Sequence, residues 1–268
     1  MATLVSFHAH PDDESIGTGG VLRKASEEGH RVVLVVATSG EHGELVEGFT
    51  LAEGESLSTR RVRETHEAAE ILGVHRVVFL GYRDSGMMGS PANDNPASFW
   101  RADVEEAAVV LAGILTDERA DVLTVYDDNG GYGHPDHIQV HRVGMRAAEI
   151  AGTKKVYQQT MNRDRMRRGR KAFAARAREA GIEIPGGAEN DHGAFGKPEA
   201  EITAAVDVRP YLAYKRRAMR AHASQIGEGS VFLAMPEEGF RFGFGTEWFI
   251  REGQGPGITE TDLFEGLG

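Results

Sequence analysis

Cysteine is absent from the 268 residues of this chain. Disulfide scaffolds, thiolate zinc sites and cysteine nucleophiles are therefore all excluded. A chain without disulfides also fits a reducing compartment. Long apolar runs are missing too: nothing approaches the roughly 18 consecutive apolar residues that a membrane helix needs. The opening stretch, MATLVSFHAH, has no basic n-region and only a short apolar run, so it reads as a strand and not as a signal peptide. These readings place the protein in the cytoplasm. Nor is there an excess of basic residues: 41 acidic residues stand against 30 basic ones, a formal net charge of -11. A general binder of nucleic acid or anionic membranes would need a positive surface. No internal repeat and no low-complexity tract is present. No G-x-G-x-x-G or G-x-x-x-x-G-K-[ST] follows a predicted strand, which weighs against nucleotide binding.

What remains is an ordinary globular composition, 40% hydrophobic and 26% charged, long enough for one large domain or a domain with a small appendage. The first half alternates strand-like and helix-like segments. Strands are expected at Leu4 to Ala9, Arg31 to Thr38, Arg76 to Tyr82 and Asp121 to Tyr126. Helical spacing ends near Gly29, and then covers Thr59 to Leu72, Phe99 to Asp117 and Pro135 to Ala151. This alternation predicts an α/β fold, a Rossmann-like three-layer sandwich with a mostly parallel sheet. Residues 1–160 are expected to form the metal-binding catalytic core. Residues 161–268 are expected to be a smaller α+β extension that completes the fold and the substrate pocket. There Lys154 to Gln159, Glu201 to Val208 and Thr246 to Arg251 read as strands, and Asn162 to Ala180 and Arg209 to Ile226 as helices. Gly181 to Glu199 reads as a loop.

Two loops carry the chemistry, and both follow strands. In open α/β sheets ligands bind beyond the carboxyl ends of the strands. The first loop is His10-Pro11-Asp12-Asp13-Glu14. Three adjacent carboxylates there are costly unless a cation offsets them. The His-x-x-Asp spacing lets one turn present His10 and Asp13 to one ion, with Asp12 free for proton transfer. The second loop is His134-Pro135-Asp136-His137, and one of its histidines can supply a third ligand. Three protein ligands with a fourth position open is the catalytic zinc arrangement, and zinc lowers the pKa of a water held there to roughly 7. Two histidines and an aspartate also suit ferrous iron. A purely structural alternative is that the aspartates of the two Pro-containing turns cap the helices that follow.

On these motifs, A-H-P-D-D-E and H-P-D-H, the sequence resembles the LmbE-like, or PIG-L, deacetylases, which remove acetyl groups from N-acetylglucosamine-containing molecules. The resemblance runs from the N-terminus to about Ala151. The runs YDDNGGYGHPDH and RDSGM bring it nearest the mycothiol branch, comprising a deacetylase of N-acetylglucosaminyl-inositol and a conjugate amidase. The resemblance implies His10, Asp13 and His137 as ligands of Zn2+ or Fe2+, and Asp12 as general base. It implies His134 as the group that stabilises the oxyanion or protonates the amine, Asp136 as the acid that orients His134, and Tyr132 as an oxyanion donor on a loop. It further implies Glu44, Arg61 and Asp84 as sugar-binding residues. Arg61 alternatively pairs with a nearby acid, and Asp84 alternatively holds a turn. The expected partner is a small amino-sugar substrate, with no nucleic acid and no membrane; a homo-oligomer fits equally. A conjugate amidase and a non-catalytic sugar-binding relative are the competing readings.

Other histidines read more plainly. His141 is expected to make a partner hydrogen bond or to pack, and His8 to be a satisfied buried histidine. His222, in HASQI, resembles a segment of the amidase branch and is expected in the core or on the surface, with approach to the site as the alternative. The arginines between Arg163 and Arg178 read as a solvated helix face.

Overall fold

A computed structural model describes residues 1–179 and 195–267. One seven-stranded sheet runs through it in the order β3-β2-β1-β4-β5-β7-β6. The strands are β1 (Thr3–His8), β2 (Arg31–Thr38), β3 (Arg76–Tyr82), β4 (Val122–Tyr126), β5 (Lys155–Thr160), β6 (Ala204–Asp207) and β7 (Thr246–Arg251). The first five are parallel. β7 runs antiparallel to both β5 and β6, so the C-terminal residues extend the same sheet.

The central strands are parallel because they are apolar on both faces. In β2, Val32 to Ala37 are all fully buried, and each valine or leucine side chain among them stabilises the fold by roughly 1.5–3 kcal/mol. A strand buried on both sides needs helices on both sides. Helices α3 (Val104–Asp117) and α5 (Pro135–Ala151) cover one face, over Val5, Phe7, Val33, Val35 and Val125. Helices α1 (Gly19–Glu27), α2 (Leu57–Leu72) and α7 (Leu212–Ala221) cover the other, over Leu4, Val32 and Val122. Three further α-helical elements are the single turn α4 (Gly130–Gly133), the arginine-rich α6 (Arg163–Glu179) and α8 (Glu237–Phe244).

Helix ends follow local chemistry. Ser56 caps α2 by accepting from the Thr59 backbone N–H, and Gly73 ends it in the left-handed region at φ 76°. The expected helix from Phe99 divides, because Asp103 accepts from the Glu106 N–H and restarts the chain as α3. The expected loop Gly181 to Glu199 lies outside the described residues up to position 194. Along α6, Arg163 donates to the Phe195 and Gly196 carbonyls, Arg168 pairs with Glu199, and Arg165 lies over Phe242.

Strand order reverses between β1 and β4, which lie side by side. The loops leaving these two strands diverge into a crevice, the place where open α/β sheets bind ligands. Both motifs lie there.

Candidate active site

The loop after β1 carries His10 and turns sharply. Asp12 has φ 92°, a left-handed conformation that costs a non-glycine residue of order 1–3 kcal/mol. Asp13 folds back so that its Oδ2 accepts the His10 backbone N–H at 2.9 Å. The same oxygen lies 3.3 Å from His10 Nδ1 and 3.4 Å from His137 Nε2.

The loop after β4 is built by Asp127, which is fully buried. Its Oδ1 accepts from the Asn129 and Gly131 backbone N–H groups and its Oδ2 from the Thr160 hydroxyl. Glycine is required here: a Cβ on Gly130, at φ 63°, would meet the His137 Cβ at 2.6 Å. The turn delivers His134 as the N-cap of α5, with Pro135 in the first turn. His134 Nδ1 accepts the Asp136 backbone N–H at 3.1 Å. Capping therefore falls to a histidine. Asp13 makes no side-chain cap, and the Asp136 carboxylate is engaged elsewhere, so the capping account of the two aspartates does not hold.

Second contacts fix the tautomers of the two inner histidines. His137 Nδ1 faces the Gly130 carbonyl at 3.2 Å, so it carries the proton and leaves Nε2 as an acceptor. Among the described residues that buried Nε2 has no hydrogen-bond partner. His10 Nε2 donates to Asp136 Oδ2 at 3.1 Å and lies 3.6 Å from Asp84 Oδ1. Two imidazole lone pairs and a carboxylate oxygen thus face one another. Acceptors arranged this way need a cation or a proton between them. A divalent ion fits this set, and each histidine is backed by an acceptor on its far nitrogen, as metal-binding histidines are. Without metal a proton takes the place. Burial pushes His10 down, but hydrogen bonds to Asp13, Asp136 and Asp84 outweigh it and hold the imidazole well above its ordinary pKa. Burial would raise Asp13; His137 and His10 keep it well below the ordinary carboxylate range. Within 4.8 Å of one another lie also the ligand atoms of His10, His134 and His137, and those of His10, Asp84 and Asp136.

Around this centre the other expected residues take different positions. Asp12 is buried enough to be pushed up to about 6, even with Arg61 pulling it down. The Arg61 guanidinium donates to Asp12 Oδ2 at 3.2 Å and to the carbonyls of Gly40 and Pro11. Arg61 and Asp84 are each only 4% exposed, and their contacts are those of the two alternatives named above. Arg61 pairs with an acid. Asp84 accepts the His42 and Gly86 backbone N–H groups and backs His10. Glu44 is exposed on the loop after β2. Tyr132 is 42% exposed, its ring 5.0 Å from that of His137 and 6.2 Å from that of His134.

Asp136 departs from its expected partner. Its carboxylate accepts from His10 and from the Ser85 N–H and hydroxyl, and it reaches His134 only through its own backbone. Burial, with His10 and His137 close by, pushes His134 down to about 3. It is a neutral imidazole with its proton on Nε2. His141 donates to the Tyr126 carbonyl, and His8 is enclosed by Ser6, Thr18 and Tyr126. Sequence reasoning gave no role to Ser85 or Tyr126, although both lie in or beside the quoted runs. The Tyr126 ring stacks on His137 at 4.1 Å and 12°.

The sheet order and the switch point define a Rossmann-like α/β protein with a cluster of His and Asp donors that could hold a metal ion. Residues 5–148 match the family described as PIG-L: GlcNAc-PI de-N-acetylase. The chain belongs to that family. It is 41% identical, over 100% of its own length and 96% of the relative's, to 1D-myo-inositol 2-acetamido-2-deoxy-alpha-D-glucopyranoside deacetylase of Acidothermus cellulolyticus. Among solved structures it shares its fold with N,N'-diacetylchitobiose deacetylase from Pyrococcus horikoshii. The TM-score is 0.52 and the identity 23%, over 89% of this chain and 72% of that one. It also shares it with a conserved protein from Thermus thermophilus, at TM-score 0.60 and 20% identity over 94% of this chain and 95% of that one. Among the described residues, no helix is long and apolar enough to cross a membrane.

Proposed function

We propose that the chain is a metal-dependent N-deacetylase that hydrolyses the acetamide of an N-acetylglucosamine-containing small molecule, N-acetylglucosaminyl-inositol first among them. The observation that carries this is the meeting of Asp13 Oδ2, His10 Nδ1 and His137 Nε2 beside a further carboxylate, Asp12, which Arg61 holds through one oxygen. The full-length relative named for that deacetylation supports the choice of substrate.

His10, Asp13 and His137 would hold zinc or ferrous iron. When bound, the ion supplies Lewis acidity to the attacking water and to the acyl oxygen. Asp12 takes the proton from that water, its raised pKa matching a general base that works near neutrality. His134 donates Nε2–H to the oxyanion. Its depressed pKa argues for this role over that of proton donor to the amine. The proton held by Asp12 then passes to the leaving amine. Tyr132 offers a second, more exposed donor from the rim. Glu44 would meet the sugar from the loop after β2, while Arg61 and Asp84 would act on it chiefly through Asp12 and His10.

The test is amine release from N-acetylglucosaminyl-inositol and from a simple N-acetylglucosamine conjugate. Metal-free protein is assayed before and after addition of zinc or ferrous iron, with Asp12→Ala as control. Metal-dependent release that the variant lacks is the expected result. No release from protein shown to hold metal would overturn the reading in favour of another amide or a binding role.

A further inference from the structure

The strained residue at the centre of the site is Asp12, and its backbone is not held by its own loop alone. Its N–H donates to Glu14 Oε2 at 3.0 Å. Glu14 is fully buried, and its other oxygen accepts from the Ser15 hydroxyl and from His222 Nε2, both at 2.6 Å. His222 is also fully buried, 208 residues away at the end of α7. Among the described residues its Nδ1 has no hydrogen-bond partner, so there the ring's side-chain hydrogen bond is to Glu14.

The turn that begins at His222 also contacts α2 and the loop after β2. Ser224 donates its backbone N–H and hydroxyl to the two carboxylate oxygens of Glu64, at 3.0 and 2.6 Å. Glu64 lies three residues beyond Arg61 on α2, hence on the same helix face. Arg61 is the residue that holds the Asp12 side chain. The Ser224 carbonyl accepts from the Val46 N–H, tying down the loop after β2. One turn therefore meets, through Glu14, the backbone of Asp12, and also the helix that carries Arg61 and the loop after β2.

We propose that His222 is a positioning residue: acting through Glu14, it keeps Asp12 in the left-handed conformation that aims the base carboxylate into the site. A strained backbone persists only where its surroundings over-determine it, and the Glu14–His222 pair supplies that constraint from a distant part of the chain. The inference rests on Asp12 being the base, but its first readout does not.

The experiment compares His222→Leu, which removes the donor, with His222→Gln, whose amide N–H can occupy the place of Nε2–H. Hydrogen exchange of the segment around Asp12 is followed by mass spectrometry, alongside metal content and melting temperature. The Leu variant is expected to lose protection at the Asp12 amide while binding metal as before, and the Gln variant to keep it. On acetamido-sugar turnover, kcat of the Leu variant should fall by roughly 100-fold at nearly constant KM, as for a misaimed catalytic group. The Gln variant should recover most of that loss. Unchanged protection in the Leu variant, or equal loss in both variants, overturns the proposal. If the Leu variant does not fold, His222→Asn, whose shorter amide falls short of Glu14, is read in its place by the same criteria. Should the wild type release no amine at all, the functional reading fails while the exchange result still decides this one.

Discussion

Lys215 and Glu247 are as deeply buried as His10 and His137, yet the two groups are satisfied in different ways. Glu247 accepts from Lys215 Nζ at 2.5 Å and from the backbone N–H groups of Gly20 and Val21 at 2.8 Å each. It closes the start of α1, where a helix leaves N–H groups free and favours a negative charge. Every strong acceptor there meets a donor. In the crevice, by contrast, the lone pairs of His10 and His137 converge on a carboxylate oxygen, and His137 Nε2 is buried with no hydrogen-bond partner among the described residues. Burial of charge by itself says little about function. Buried acceptors that converge on one another say much more.

The largest expected effect sharpens that contrast. Stripping the protein with a chelator should bring amine release to the level of the blank and lower the melting temperature. Added zinc should restore both, since a ligand at 100 times its Kd stabilises by about 2.7 kcal/mol. A stripped protein with full activity would break the comparison at once.

Next in size is the base. Asp12→Asn should lower kcat/KM by roughly 10²–10⁴-fold, the usual contribution of a positioned acid or base. Asp12 must be ionised to accept a proton, and in the metal-free chain burial puts it at about 6. A cation beside it favours the ionised form and can only move that value down. The kcat/KM profile of the wild type should therefore fall on the acid side, with a limb at or below pH 6. A limb well above that pH would point to a different base.

Lys215→Met tests the other region. Removing one partner of a buried pair costs about 3–5 kcal/mol, because the remaining charge is left uncompensated. Here the loss should appear in denaturant unfolding, with metal content unchanged and no recovery on adding zinc. If zinc did restore the stability, the two regions would not be independent.

How far all this could be read from sequence differs by element. The spans Arg31–Thr38, Arg76–Tyr82, Pro135–Ala151 and Thr246–Arg251 coincide with the expected ones, because β-branched runs and Pro or Gly boundaries act locally. Helix α8 was not foreseen. Its sequence, EEGFRFGF, carries two glycines, and it is held by tertiary contact, with Phe240 buried against Met219, Ile226 and Leu233. The helix expected from Arg209 to Ile226 ends at Ala221, where His222 leaves the helical path. In the site, both His/Asp loops and their shared end of the sheet were legible, because each follows a recognisable strand. The Glu14–His222 and Asp136–Ser85 contacts were not, since nothing local in the sequence marks pairs 208 and 51 residues apart.

Asp136→Asn addresses one of those contacts. Its carboxylate takes the His10 Nε2 proton, so the variant should weaken metal affinity by roughly 10–100-fold, as losing an outer partner of a ligand does. Competition with a chelating dye measures it. Unchanged affinity with a reduced kcat would instead return Asp136 to the role expected from sequence, as the group that tunes His134.

The smallest effect concerns the part of the crevice that is least enclosed. Tyr132 stands on a turn made possible by glycines in the left-handed region, and that turn is clasped from outside: the Gly131 carbonyl accepts from the Gly196 N–H, and Asp128 pairs with Lys197. The ring is thus placed by backbone contacts, and Tyr132→Phe should leave fold and metal content unchanged. What the variant removes is a hydroxyl on a residue 42% exposed. Water competes for such a donor, so its contribution should be that of one ordinary hydrogen bond, about 1–1.5 kcal/mol, or roughly tenfold in kcat. KM should change little, because the oxyanion exists only in the transition state. A loss of several hundredfold would mean that the rim closes over bound substrate and shields the hydroxyl from water. The exposed edge would then become as enclosed as the metal centre it borders.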